Sequence, residues 1–251
     1  MRKRTMPKYK CVIAYDGTDF AGYQVQPEKR TIQSEFEAVL AQMHKGTIIK
    51  VTASGRTDSG VHAKGQVLHF ESPLTFPTEN WIKAFSALLP TDIIALEVDI
   101  VPDDFHARFH TTGKEYRYIV ARSKLRDPFK RNYAYHYPYP LNMEAIREAI
   151  SYLIGTHDFT SFCSAKTEVV DKVRTIKEMD FEESDDFLVF RFVGEGFLYN
   201  MVRILVGTLL DVGSGKISPH DMSGILDKKD RSFAGKTAPA QGLYLWKVFY
   251  K

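Results

Sequence analysis

The spacing of apolar residues along this chain alternates between the period of a strand and the period of a helix. β-Branched and aromatic side chains in residues 8–15 predict a strand, whereas apolar residues recur at helical spacing from Thr31 to about His44. A polar loop, Ser54–Lys64, follows later. The first hundred or so residues thus predict the order β-α-β-β-α-β, with elements at 8–15, 31–44, 48–53, 67–71, 78–90 and 93–101.

The second half of the chain repeats this order loosely. Its predicted elements are strands at 114–121 and 132–137, a helix from Asn142 to near Gly155, strands at 173–182 and 187–193, an apolar helix ending near Gly213, a short helix opened by Ser218-Pro219, and a strand at 243–250. We therefore predict an α+β fold of two similar halves, residues 1–105 and 106–251. Each half would be a mainly antiparallel sheet with helices on one face.

Length and composition narrow the class of protein. The chain has 251 residues, of which 44% are hydrophobic and 26% charged, values typical of a globular protein. Two cysteines are too few for a disulfide framework or a cysteine-rich zinc module. No apolar run reaches the roughly 18 residues of a spanning helix, and no apolar core follows the basic N-terminus. We therefore expect a soluble cytoplasmic protein without a membrane segment.

The charges are sorted along the chain although the net charge is only +3. Residues 1–10 carry five basic side chains and no acidic one, and residues 106–131 carry eight basic against two acidic. Residues 178–186 carry six acidic side chains and no basic one. A basic face opposite an acidic one suits a polyanion bound on one side, although a solvated surface is the commoner explanation of any single run.

The polar loop contains the first candidate site. Gly55 and Gly60 punctuate it between two apolar strands, and glycines permit backbone conformations that other residues resist. Such a loop presents Arg56 and Asp58 at the end of a sheet, which is a common place for active groups. An Asx turn, in which Asp58 only bonds nearby backbone, explains the local spacing equally well.

The apolar helix near residue 200 contains the second candidate. Arg203 lies within its apolar face, and Gly207, one turn away, would leave room beside the guanidinium. A buried arginine needs a carboxylate or phosphate partner, because an unpaired buried charge is too costly. The alternative is that the side chain extends its charged end to solvent.

Cations and aromatic rings alternate in two neighbouring segments, 105–110 and 114–118. In an extended strand Lys114, Tyr116 and Tyr118 would share one face. Nucleic-acid surfaces need charge for phosphates and ring faces for unstacked bases, and each base–aromatic stack is worth about 1–3 kcal/mol. Ordinary amphipathic strands with half-buried tyrosines are the alternative. No His/Cys cluster has the spacing of a zinc site, so we expect no metal.

Taken together, six segments resemble the TruA-type tRNA pseudouridine synthases, that is, the tRNA pseudouridine(38–40) synthases. They follow the order of that family and span nearly the whole chain: 55–63, 105–108, 114–118, 155–162, 196–203 and 238–245. The sequence departs from the family at Ser59, where alanine is common, and at Cys163–Thr167. The resemblance therefore assigns no contacts to residues 163–170.

The resemblance implies isomerisation of uridine to pseudouridine in the anticodon stem-loop of tRNA, at positions 38–40, with no metal or organic cofactor. The target base would leave its helix, at a cost of a few kcal/mol. The family also implies a homodimer that contacts tRNA with both subunits. Two α+β halves would form one RNA-binding cleft, and residues 103–112 would cross between them beside the RNA.

The resemblance also implies roles for single residues. Asp58 falls on the catalytic aspartate and Arg203 on its basic partner, so that the two charges would satisfy each other. Tyr116 falls on the active-site tyrosine that stacks on the uracil. Arg56 would hold the flipped conformation, and Leu243 would form an apolar wall that excludes water. The RNA backbone would be held by Phe105, His106, Ala107, Arg108 and Phe109.

Two other functions fit parts of the sequence. Asp58-Ser59-Gly60 matches the short motif of aspartic proteases, but those enzymes need two such aspartates and this chain has one such motif. A non-catalytic RNA-binding module could use the basic and aromatic strands. Such a module would leave Asp58 and Arg203 without a role. Replacement of Asp58 therefore distinguishes the two functions, because a binding module should keep its function and an enzyme should lose turnover.

Overall fold

The computed structural model describes residues 6–251, which form ten strands and five α-helices. Part of the basic N-terminal run (Arg2, Lys3 and Arg4) lies outside the described residues. The chain divides into two compact units. The first ends at Thr112 and also includes Leu245–Lys251, and the second is Gly113–Tyr244.

A sheet and two helices form the first unit. Its elements are β1 (Lys8–Tyr15), α1 (Ile32–Met43), β2 (Thr52–Ala53), β3 (His62–Glu71), α2 (Thr78–Leu88) and β4 (Ile93–Val101). β1 lies between β3 and β4 and pairs antiparallel with both, while the short β2 pairs with β3. The predicted order of strands and helices is confirmed.

Helix α1 begins where the sequence predicts. The Thr31 side chain accepts the backbone N–H of Ser34, and the Ser34 hydroxyl accepts the N–H of Thr31, which completes a capping box. The helix buries Phe36 and Leu40, and the Phe36 ring lies 4.8 Å from Phe85 of α2. Burial of each such side chain stabilises the unit by about 1.5–3 kcal/mol.

The strand predicted at 48–53 is shorter in the structure. The Val51 N–H donates to the carboxylate of Glu37 in α1 at 3.2 Å, and Lys50 forms an ion pair with the same carboxylate at 2.8 Å. These bonds draw the backbone to the helix, so only Thr52–Ala53 joins the sheet.

Strand β3, by contrast, begins at His62 and not at residue 67 as predicted. Ala63 pairs with Tyr15 of β1, and pairing between distant segments overrides the low strand propensity of Lys64 and Gly65. The polar loop between β2 and β3 is therefore shorter than predicted and ends at Val61.

Strands and three helices also form the second unit. Its elements are β5 (Thr111–Ala121), β6 (Tyr135–His136), α3 (Met143–Ser151), β7 (Gly155–Asp158), β8 (Val173–Glu183), β9 (Phe187–Gly194), α4 (Met201–Gly213) and α5 (Asp221–Lys228). The strands lie in the order β5-β9-β8-β7 with antiparallel neighbours, and β6 pairs parallel with β5. The mainly antiparallel α+β class is confirmed.

Three elements of this unit differ most from their predictions, while β5 begins at Thr111 instead of residue 114 and α5 at Asp221 instead of Ser218-Pro219. The strand predicted at 132–137 is reduced to β6, because the chain turns where Tyr133 and Ala134 donate to the Lys130 carbonyl. Helix α3 ends at Ser151, before the predicted Gly155. Gly155 has φ +109°, a conformation that favours glycine, and begins the unpredicted strand β7.

The last strand, β10 (Leu243–Tyr250), returns the chain to the first unit, where it lies beside β3. A Cβ on Gly65 of β3 would lie 2.7 Å from the Trp246 carbonyl oxygen, so only glycine fits this approach. The structure divides the chain after Thr112 and again after Tyr244, whereas the sequence suggested one division after residue 105. The second division depends on pairing between distant segments, which leaves no local signal.

Candidate active site

Asp58 opens a tight turn in the loop between β2 and β3. The Val61 N–H donates to the Asp58 carbonyl at 3.1 Å, and Gly60 has φ +76°, in the left-handed region that favours glycine. Asp58 is half-buried, whereas Arg56 in the same loop is exposed. The turn thus places the Asp58 carboxylate in a partly desolvated position. Arg56, a cation two residues earlier in the sequence, lies on the surface.

The loop that follows β1 holds the backbone on the N-terminal side of Asp58. The carbonyl of Thr57 accepts the N–H of Tyr23 at 3.0 Å, and the Thr57 hydroxyl lies 2.8 Å from the Tyr15 hydroxyl. Gly22 permits this approach, because it has φ +98° and an added Cβ would lie 2.9 Å from the Thr57 carbonyl oxygen. Burial raises the pKa of Tyr15 to about 12, so its hydroxyl keeps its proton.

The C-terminal side of the turn is held by the same neighbouring loop. A Cβ on Gly17 would lie 2.0 Å from the Val61 carbonyl oxygen, so the two backbones touch there. The Gly17 N–H donates to Nδ1 of the buried His62 at 3.0 Å, and the Ser59 hydroxyl donates to the Phe20 carbonyl at 3.1 Å. The Asp58 turn is therefore held from both sides within its own unit.

Ala107 anchors the segment 105–110 to the first unit. Its N–H donates to Nδ1 of His69 at 3.1 Å, and its carbonyl accepts the Tyr250 hydroxyl at 2.6 Å. Desolvation lowers the pKa of His69 to about 4, so the ring is neutral near neutral pH and Nδ1 can accept this bond. Ala107 itself is fully buried, which gives it an anchoring role and no exposed surface for RNA.

Next to Ala107 in the sequence, one aromatic ring and one guanidinium group are exposed to solvent. The His106 ring stacks on Phe109 with 4.2 Å between centroids, and its Nδ1 accepts the N–H groups of Arg108 and Phe109. Phe109 is 74% exposed, and Arg108 is exposed. Phe105 is half-buried and packs 5.3 Å from the Tyr250 ring. Only part of the predicted RNA-binding segment is thus accessible in this unit.

On β5 of the second unit, Tyr116 is 9% exposed and meets Phe197 edge to face at 5.2 Å. The neighbouring Glu115 accepts a hydrogen bond from Arg117 at 2.7 Å and lies 3.5 Å from Arg191. Glu115 and Arg117 therefore share one face of the strand, as their alternation predicts.

The basic run at 106–131 is partly neutralised within the fold. Arg117 pairs with Glu115, and Lys130 lies 3.7 Å from Asp127 and 3.5 Å from Asp186. Four other basic residues of the run are exposed: Arg108, Lys124, Arg126 and Arg131. The accessible positive charge of this run is consequently smaller than its composition suggests.

Arg203 lies in the first turn of α4 and is half-buried, while every other residue of that helix except Asp211 is buried. Its Nε donates to the Ala238 carbonyl at 2.7 Å, and its Nη1 donates to Oδ1 of Asn200 at 2.9 Å. Two acceptors at two different nitrogens orient the planar guanidinium. Arg203 thus does not simply extend into solvent, the alternative that its sequence position left open.

The segment 236–242, here called the strap, crosses α4 at Gly207. A Cβ on Gly207 would lie 1.7 Å from the Lys236 carbonyl oxygen, so no larger residue fits. The expectation that Gly207 leaves room for the Arg203 guanidinium is therefore wrong, because the strap backbone fills that space.

The strap leads into Leu243, the first residue of β10, which is 6% exposed. The Tyr118 hydroxyl donates to the Pro239 carbonyl at 2.7 Å, and a Cβ on Gly242 would lie 2.7 Å from the Tyr118 ring. Burial raises the pKa of Tyr118, and the positive charge of Arg203 acts in the opposite direction. The phenol therefore remains a hydrogen-bond donor to the strap.

The candidate residues fall into two sets. The first unit contains Arg56, Asp58 and 105–109, and the second contains Tyr116, Arg203 and Leu243. Sequence reasoning missed the residues that hold these sets in place: Tyr15, Gly22, Tyr23, His69, Asn200, Ala238 and Tyr250. Of these, Asn200 and Ala238 lie within segments that carry the family resemblance.

No three His, Cys, Asp or Glu side chains within residues 6–251 come together as a metal site. In the same part of the chain, no helix is both long and apolar enough to cross a bilayer. Cys11 and Cys163 are both buried, and burial raises the pKa of each thiol. Neither cysteine therefore has the lowered pKa of a reactive thiolate.

Comparison with known proteins identifies the family. The model of the tRNA pseudouridine synthase family matches residues 11–110 and 149–251. The chain is 60% identical over 243 residues to tRNA pseudouridine synthase A of a Geobacillus species, covering 97% of this chain and 98% of that protein. The Bacillus subtilis protein of the same name is 59% identical over 244 residues, covering 97% and 99%. A tRNA pseudouridine synthase A 1 of Bacillus cereus is 58% identical over 245 residues, covering 98% and 99%.

These matches make the protein an enzyme of the isomerase class. The chain belongs to the tRNA pseudouridine synthase family. This membership removes the basis for the aspartic-protease alternative, which depended on three residues around Asp58.

Proposed function

We propose that this protein converts uridine to pseudouridine in the anticodon stem-loop of tRNA, with Asp58 as the acting carboxylate. The N-glycosidic bond to uracil N1 breaks, the base turns in place, and C5 forms a new bond to C1′ of the ribose. C5 then loses its proton, and N1 gains one. The observation that carries the proposal is the half-buried Asp58 turn, which is held on both sides by the loop after β1. A catalytic side chain gains from a backbone that is rigid before substrate binds.

Asp58 acts as the ionised carboxylate. In one route it attacks C1′ as uracil leaves with the bonding electrons, and it is displaced when C5 bonds to C1′. In the other route it takes a proton from the sugar as uracil leaves and returns that proton once C5 has bonded to C1′. Both routes require the charged form, which a neighbouring guanidinium favours. We assign Arg203 the role of that cation, on the strength of the family motif that contains it and of its fixed orientation.

Three further residues act on the flipped nucleotide. Tyr116 stacks on the target uracil, Leu243 supplies an apolar wall against water, and Arg56 holds the base out of its helix. The exposure of Arg56 and the burial of Leu243 suit these two roles.

The segment 105–109 contacts the RNA through its exposed members. Arg108 pairs with a phosphate, and the ring of Phe109 offers a stacking face backed by His106. Ala107 keeps the segment in place through its bonds to His69 and Tyr250. We further propose a cytoplasmic homodimer, the compartment and assembly implied by the family, which light scattering of the purified protein would test.

The test is direct. Purified protein is incubated with an unmodified tRNA transcript, and pseudouridine is mapped by carbodiimide labelling and primer extension. We expect stops on the 3′ side of the anticodon stem-loop. Asp58→Asn should abolish them while tRNA affinity stays within about threefold, because the substitution removes chemistry and little binding. Asp185→Asn, which changes an exposed carboxylate of the second unit, is the matched control and should retain full activity.

Residual activity of Asp58→Asn above about a tenth of the wild-type rate would overturn the role of this carboxylate. An absence of stops with tRNA still tightly bound would instead favour an RNA-binding module.

A further inference from the structure

Asn200 breaks two local rules at the start of α4. It has φ +61° and ψ +5°, and of the four non-glycine residues with positive φ within residues 6–251 it is the one that is not exposed. An N-cap residue usually has extended backbone, and its side chain accepts an N–H of the first turn, but the Asn200 side chain makes no such cap bond. Strained backbone of this kind persists where the surroundings hold it and clusters at functional sites.

The Asn200 side chain is used elsewhere. Its Oδ1 accepts the Nη1–H of Arg203 at 2.9 Å, while the Asn200 carbonyl still accepts the N–H of Ile204 at 2.9 Å. The left-handed backbone thus begins the helix and turns the carboxamide toward the guanidinium. On the other side of the guanidinium, Nε donates to the Ala238 carbonyl at 2.7 Å.

The Asn200 carboxamide and the Ala238 carbonyl are uncharged acceptors. A carboxylate in either place would orient the guanidinium equally well but would neutralise it, whereas amide and carbonyl oxygens leave its full positive charge. A guanidinium oriented by two such hydrogen bonds loses little further side-chain freedom in the reaction.

We propose that Asn200 is a positioning residue, which fixes the Arg203 guanidinium for the reaction without reducing its charge. This role rests on the proposed function of Arg203 and extends it to a residue with no direct part in the chemistry. Because Asn200 acts through Arg203, its loss lowers the rate of the chemical step more than it weakens tRNA binding.

The test uses Asn200→Gly, which keeps the left-handed backbone and removes the acceptor. Single-turnover pseudouridine formation should slow by about tenfold or more, while KM for tRNA and the melting temperature change little. Lys45→Gly is the matched control, since Lys45 also has positive φ, at +53°, but is exposed. It should retain the wild-type rate.

A double-mutant cycle separates positioning from a merely structural role. In an Arg203→Lys background the side chain lacks both nitrogens that the two acceptors hold, so Asn200→Gly should have no further effect on the rate. A wild-type rate for Asn200→Gly, or equal losses in both backgrounds, would overturn the proposal. If Arg203→Lys is too slow to measure, the kinetic constants of Asn200→Gly decide. A lowered kcat with an unchanged KM supports positioning, whereas a raised KM with an unchanged kcat would overturn it.

Asn200→Asp covers the case in which the glycine variant does not fold, because aspartate tolerates the same backbone. It keeps an acceptor but adds a charge that neutralises Arg203, so its rate should also fall, and an unchanged rate would overturn the proposal. Asp58→Asn is measured in the same assay. Activity that survives in Asp58→Asn contradicts the proposed function, whereas loss in Asp58→Asn with full activity in Asn200→Gly contradicts only the role of Asn200.

Discussion

Arg203 and Ala238 bind each other in both directions: Arg203 Nε donates to the Ala238 carbonyl at 2.7 Å, and the Ala238 N–H donates to the Arg203 carbonyl at 3.0 Å. The strap and the first turn of α4 therefore move together. At Gly207 the strap lies so close to α4 that the Lys236 carbonyl oxygen occupies the place of a side chain.

Gly207→Ala should destabilise the protein by about 1–3 kcal/mol or more, because the added Cβ would lie 1.7 Å from a backbone oxygen. It should also reduce activity, since the displaced strap carries the Ala238 carbonyl that accepts a hydrogen bond from Arg203. Gly224→Ala in α5 is the control, because a Cβ there meets nothing within 4 Å and alanine favours a helix by about 0.5–1 kcal/mol. Urea denaturation of both variants checks the prediction, which equal stabilities would contradict.

Two buried tyrosines near the Asp58 loop should respond oppositely to loss of their hydroxyl groups. The Tyr15 hydroxyl bonds the Thr57 hydroxyl at 2.8 Å, so Tyr15→Phe should cost about 1 kcal/mol. The Tyr23 hydroxyl is buried with no hydrogen-bond partner among residues 6–251, so Tyr23→Phe should leave stability unchanged or raise it by about 1 kcal/mol. Denaturant midpoints of the two variants measure the difference, and the reverse order would refute this account.

His69 should make the stability of the first unit depend on pH. Desolvation lowers its folded pKa from 6.5 to about 4, so the unfolded chain takes up the proton first. The contribution of the neutral His69 ring to the free energy of unfolding is fully present above about pH 6.5. It is lost as the pH falls toward about 4. The half-buried ring contributes about 1–2 kcal/mol once solvent screening is allowed for.

His69→Asn keeps an acceptor for the Ala107 N–H and removes the titrating group. The free energy of unfolding of this variant should therefore fall less between about pH 7 and about pH 4.5 than that of the wild type. Guanidinium titrations at several pH values give the free energy of unfolding of each protein as a function of pH. Parallel curves would show that His69 does not cause this pH dependence.

Phe109 and Arg108 should contribute to tRNA binding in distinguishable ways. Phe109→Ala removes an exposed stacking face and should weaken binding by about 1–3 kcal/mol without changing its salt dependence. Arg108→Ala should reduce the slope of log affinity against log salt by about one unit, because one phosphate contact is lost. Filter binding at several salt concentrations measures both quantities.

Phe129→Ala is the control for the stacking prediction, since Phe129 is 85% exposed but lies outside 105–110. An equal loss of affinity in Phe129→Ala would mean that any exposed ring of the basic run contributes. A changed salt slope in Phe109→Ala would point to an altered charge contact and not to stacking.

Much of the fold could be predicted because its signals are local. The Thr31 cap and the apolar spacing behind it predicted α1 to within a residue or two, and β1, β4 and β10 have the predicted bounds. The turn at Asp58 follows from Gly60, because a left-handed residue is needed at that point. Strand β7 was missed, since four residues beginning with glycine have no strand signature of their own.

The sequence by itself determined the order of the strands and helices in the first unit, the family motifs, and Asp58 and Arg203 as candidate site residues. Only the tertiary structure decided that β10 joins the first unit, that Ala107 is an anchor, and that Asn200 and Ala238 orient Arg203. The physical reason is the range of the interactions. Capping, turns and apolar periodicity act within a few residues, whereas strand pairing and bonds to a distant carbonyl depend on backbone groups that every residue carries and leave no pattern in the chain.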